Sequence, residues 1–73
     1  MNELTFLQAC VVCAQEAESE NALCFVYERR GCYRITTRST TAAWLFRAYP
    51  GGKKEMTELG AKFAEQEGVK VDD

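Results

Sequence analysis

Histidine does not occur in this chain of 73 residues. That removes the commonest general base near neutral pH and the commonest metal ligand. Serine occurs only as Ser19 and Ser39, both in predicted linking segments, and neither stands in a G-x-S-x-G elbow. No phosphate-binding glycine pattern is present, since Gly51-Gly52-Lys53-Lys54 has the residue types without the spacing. A cysteine nucleophile would lack its usual histidine activator. The acids fall mostly on polar helix faces, where solvated surface roles prevail. With these constellations missing, the chain is expected to bind and not to catalyse. Long apolar runs are missing too. The longest, Ala9 to Ala14, is far short of the ~20 residues of a membrane-spanning helix.

Apolar residues make up 47% of the chain and charged ones 27%, as in an ordinary globular domain. A single domain over 1–73 is expected, with a frayed tail at about 69–73. Domains this small bury only about 60% of their unfolded surface, so they often add a disulfide, a metal or a partner subunit. The start Met1-Asn2-Glu3-Leu4 carries an acid where a signal peptide carries positive charge. The expectation is a cytoplasmic protein with reduced cysteines.

The four cysteines, Cys10, Cys13, Cys24 and Cys32, are spaced C-x2-C, ten residues, C-x7-C. That number suffices for structural zinc. Yet Cys10-Val11-Val12-Cys13 lies in an apolar helical stretch, and in the expected hairpin Cys24 and Cys32 stand roughly 13 Å apart. Small buried thiols are the plainer reading, with no metal and no cofactor.

Leu4, Leu7, Val11 and Ala14 recur at helical spacing, and Phe6, Cys10, Cys13 and Ala17 form a second stripe. A helix over roughly 3–18, capped by Asn2, follows. Leu23 to Arg38 reads as a β-hairpin. Glu28-Arg29-Arg30-Gly31 suits a type I turn with a glycine bulge. That register pairs Tyr27 with Tyr33 and Phe25 with Ile35 on an apolar face. It leaves Cys24, Val26, Glu28, Arg34 and Arg38 on the other. Ser39-Thr40-Thr41 can cap a second helix through Ala42, Leu45, Phe46 and Tyr49, with a third strand as the alternative because of Trp44-Leu45-Phe46. A last helix is expected over about 53–67, closed by Gly68 and Val69. The fold class is α+β: helices on one face of a small antiparallel sheet of two or three strands.

Charge is strongly blocked. Residues 1–28 carry five acids and no base, residues 29–54 seven bases and no acid, and residues 55–73 six acids against Lys62 and Lys70. The basic block interleaves arginines with Tyr33, Trp44, Phe46 and Tyr49. Cations on phosphates and rings on bases would make it an RNA or single-stranded DNA surface. The plainer expectation is internal neutralisation, with acidic helices folded against the basic hairpin. A helix-turn-helix around Pro50-Gly51-Gly52 is disfavoured, because Glu55, Glu58, Glu65 and Glu67 would face phosphates.

The leading expectation is a protein-binding module. Its contact set is Glu28, Arg29, Arg30, Arg34 and Arg38, with Trp44 and Tyr49 as hot spots. The acidic helices could also meet a basic nucleic-acid-binding surface on a partner. In that character the chain is similar, as a class and through no motif, to small phage-encoded inhibitors of host nucleases and CRISPR complexes. A third possibility is a homodimer joined through the hairpin edge or an apolar helix face.

Overall fold

A computed structural model describes residues 4–38 and 43–67. It shows an N-terminal helix, a four-stranded antiparallel sheet and a C-terminal helix, a small α+β domain. The elements are α1 (Phe6–Glu20), β1 (Cys24–Arg29), β2 (Cys32–Thr36), β3 (Trp44–Ala48), β4 (Lys54–Met56) and α2 (Glu58–Gln66). The sheet order is β2-β1-β3-β4.

Helix α1 starts later than the apolar spacing suggests, because Thr5 and Gln8 form a capping box. The expected cap, Asn2, lies outside the described residues. The helix ends at Asn21, whose left-handed backbone (φ 53°) turns the chain so that the Ala22 amide donates to the Ala17 carbonyl (3.1 Å). Of the two apolar stripes, the one with Phe6, Cys10, Cys13 and Ala17 is buried against the sheet. Val26, Phe46 and Ala48 meet it from β1 and β3. Phe6 is fully buried, and its ring packs with Tyr33 (centroids 5.3 Å) and Phe63 (6.3 Å).

The hairpin is present, but its register differs by one residue from the expected one. Tyr27 pairs with Arg34, Val26 with Ile35 and Arg29 with Cys32. The turn is a two-residue loop, Arg30-Gly31, with both residues at positive φ (56° and 79°). This is the primed geometry that matches strand twist, in place of the expected type I turn with a bulge. Glu28 holds it by accepting a hydrogen bond from the Gly31 amide (2.7 Å). A one-residue slip turns every side chain of one strand to the other face of its partner. Tyr33 and Ile35 therefore share the helix side with Cys24 and Val26. Cys32, Arg34 and Thr36 lie with Phe25, Tyr27 and Arg29 on the opposite, outer face.

The segment expected as a second helix, with a third strand as the alternative, is strand β3, so the alternative holds. The adjacent Leu45 and Phe46 are both buried because β3 carries one extra residue, Leu45, between the Val26–Phe46 and Tyr27–Trp44 pairs. Such a bulge breaks period-2 alternation and mimics helical spacing. Capping by Ser39-Thr40-Thr41 falls outside the described residues. Strand β3 turns into β4 through Tyr49-Pro50-Gly51-Gly52, closed by the Gly52 amide on the Tyr49 carbonyl (3.2 Å). Proline at the second position and Gly51 at φ 99° make a type II turn.

The last helix is shorter than expected, since Thr57 caps it by accepting from the Gly60 amide (3.0 Å) and residues 54–56 join the sheet. Its capping residue at the other end is Glu67. Gly68, Val69 and the tail lie outside the described residues. Thr57 also donates its amide to the Leu45 carbonyl (3.0 Å), which anchors α2 at the bulge. Among the described residues no helix is long and apolar enough to cross a membrane.

Candidate functional site

Strand alternation puts Arg47 beside Phe25 on the outer face, away from α1. Phe25 is 5% exposed yet lies outside the main core cluster, so the outer face has an apolar centre of its own. The Trp44 ring meets Phe25 edge-on at 6.2 Å. The Arg47 guanidinium lies over the Trp44 ring at 4.3 Å and near that of Tyr49 at 5.5 Å. A cation seated on an aromatic face gains about 0.5–1 kcal/mol at exposed sites and more where water is excluded.

Arg47 is fixed from the other side by Glu55 of β4. Its Nε and Nη2 both donate to Oε1 of that carboxylate, and the Tyr49 hydroxyl donates to the same oxygen (3.2 Å). Lys53 adds a looser ion pair with Glu55 (3.6 Å) and stands 4.9 Å from the Tyr49 ring. The hydrogen bond from Arg47 holds the Glu55 carboxyl below its ordinary range, with Tyr49 and Lys53 assisting. The result is one connected stack, Trp44–Arg47–Tyr49, with its guanidinium locked in place.

The residues expected to form the contact set are spread as follows. Arg29 and Arg34 lie on the outer face. Arg30 is at the hairpin turn, and Arg38 follows β2 with its amide on Thr36 Oγ1 (3.1 Å). All four are exposed. Glu28 alternates to the helix side, where it serves the turn. Trp44 and Tyr49 are half-buried in the stack, on and beside a strand and not on a helix. The stack therefore unites Trp44 and Tyr49, with Arg34 and Arg29 farther across the same face. Tyr33, offered for base stacking, is on the other side, packed between Phe6 and Phe63. Burial, aided by Glu67 and Glu28, raises its hydroxyl pKa.

Among the described residues, internal neutralisation of the basic block runs through Glu55 of β4 and through no acid of α1 or α2. Among the described residues the ion pairs are Arg47–Glu55 and Lys53–Glu55, both within the β3–β4 hairpin. Two acids on or beside the helices reach backbone amides instead. Glu18 accepts from Gly51 (2.9 Å) and Glu67 from Phe6 (2.6 Å) at the positive end of α1. No family model, curated protein or solved structure matches the chain.

Sequence reasoning missed Arg47, Lys53 and Glu55 as site residues. The signal was present. Arg47-x-Tyr49 and Lys53-x-Glu55 alternate at period 2 on either side of Pro50-Gly51-Gly52, which is a hairpin pattern. The thiols form no site of this kind. Cys13 is hydrogen-bonded to Cys24 in the core, and burial pushes Cys10 up to about 12 and raises the other two. Thiols so placed are poor nucleophiles. Among the described residues no group of three potential ligands can hold a metal ion.

Proposed function

We propose that this chain is a non-catalytic protein-binding module that docks an acidic partner surface onto the outer face of its sheet. The carrying observation is the Trp44–Arg47–Tyr49 stack, fixed by Glu55. Interface energy concentrates in Trp, Tyr and Arg. A stack already ordered in the free protein loses little side-chain entropy on docking. Arg29 and Arg34, with no ion-pair partner among the described residues, give the same face a positive field that selects an acidic surface.

A single-stranded nucleic acid is the less suited partner. Bases need free aromatic faces. One face of Trp44 is taken by Arg47, the charge of Arg47 is met by Glu55, and Tyr33 is part of the core.

Quantitative capture from the cells of origin tests the proposal. Proteins retained by the wild type should be lost with Trp44→Ala and with Arg34→Glu. An unchanged set would refute docking at this face. A gel shift with single-stranded oligonucleotides is the companion test. A shift that fades steeply with salt would assign the face to nucleic acid instead.

A further inference from the structure

The sheet has two edges, β2 and β4, and they are not alike. Strand β4 is three residues long, and its Glu55 is tied to Arg47 and Tyr49. Strand β2 is five residues long and contains no acid. The hairpin register fixes which backbone groups of β2 are already used. The two-residue loop makes Arg29–Cys32 a hydrogen-bonded pair, and Tyr27–Arg34 and Phe25–Thr36 follow at every second position. The amides and carbonyls of Cys32, Arg34 and Thr36 therefore turn inward to β1. Those of Tyr33 and Ile35 turn outward, and among the described residues no strand lies beyond them. An edge of this kind is a template for one more strand.

The side chains select the kind of strand. Arg34 is exposed at the middle of β2 on the outer face, with Arg30 before the strand and Arg38 after it. None of the three has an ion-pair partner among the described residues. A second copy of β2 is disfavoured by these charges. In an antiparallel two-fold pairing centred on the strand, Arg34 of each copy would lie against that of the other, and like charges directly opposite destabilise a ladder. An acid at that position is attracted instead. On the other face Tyr33 and Ile35 are half-buried at the margin of the core. Side chains alternate along a strand, so an added strand sets acids beside Arg34 and apolar residues beside Tyr33 and Ile35. We infer that the β2 edge takes an extended segment of alternating acidic and apolar residues from an acidic protein partner, bonded through the Tyr33 and Ile35 backbone. The inference rests on the reading of the chain as a binder of an acidic protein surface, and names the form in which that surface docks.

Hydrogen exchange read amide by amide tests it, with a blocked synthetic peptide of alternating Glu and Val as the probe. At saturation the peptide should slow exchange at Tyr33 and Ile35 about tenfold or more. The same peptide with Lys for Glu should give no protection. Arg34→Glu, at an exposed position, should weaken the acidic peptide about tenfold and admit the Lys peptide in its place. An acidic peptide that fails to bind at millimolar concentration would overturn the inference. So would one that binds while Tyr33 and Ile35 exchange as in the free chain, or equal protection by the Lys peptide. None of these results alters the capture experiment with Trp44→Ala, which tests the outer face separately.

Discussion

At the scale of single residues, Glu55 carries most of the outer-face geometry, since one carboxylate oxygen receives Arg47 and Tyr49 together. Its folded pKa is depressed below the usual value of about 4.3. Its contribution to stability is therefore present above that value and lost as pH falls through the folded pKa. Thermal midpoints measured from pH 7 downward should show Glu55→Gln less stable than the wild type near neutrality. The two should converge in acid. The thiols act at the other end of the pH scale. Cys10, Cys13 and Cys24 have raised values in the folded state, so their stabilising effect is complete below about pH 8.5 and declines as pH rises through the folded values. With a thiol reagent at pH 8, half-buried Cys32 should react first. The other three should follow only at the rate of global unfolding.

Phe6 shows how much one side chain carries in a domain of this size. It is fully buried and touches the rings of Tyr33 and Phe63. Phe6→Ala should cost about 3–5 kcal/mol in urea denaturation, much of the stability such a domain has.

Among the elements, the turns decide what the sequence pattern could reveal. The α1 helix, the hairpin and a C-terminal helix on one side of a sheet were legible from periodicity and punctuation. The hairpin register was not, because Arg30 occupies a left-handed position that favours glycine, asparagine or aspartate. Reading Gly31 alone as the special residue adds a residue to the loop and turns β1 over. Arg30→Asn should raise stability by up to about 1 kcal/mol, measured by urea midpoint, since a non-glycine left-handed residue costs ~1–2 kcal/mol. The bulge at Leu45 hid β3 in the same way, by placing two buried residues in succession. Close packing of α2 on that bulge can be tested directly. A Cβ at Gly60 would stand 2.4 Å from the Leu45 carbonyl oxygen, a backbone atom. Gly60→Ala should therefore destabilise by roughly 1–3 kcal/mol despite its better helix propensity.

For the molecule as a whole, the charge blocks of the sequence become a division of surfaces. The basic residues were visible as a group in the sequence, and Arg34, Trp44 and Tyr49 were singled out there. What was hidden was their company, because Arg47 and Glu55 come together only when β4 pairs with β3. Glu18 serves the β3–β4 turn and Glu67 the start of α1, while Arg29 and Arg34 remain on the outer sheet face with the aromatic stack. That division gives the domain a positive aromatic side. Trp44 is the single tryptophan of the chain, so its fluorescence reports that side without labelling. Acrylamide quenching of Trp44 in the free protein and with a captured partner bound is the most direct test. The expected result is a clear fall in quenching on binding, abolished by Arg34→Glu through loss of the complex. Unchanged quenching with the partner demonstrably bound would contradict docking on the outer face.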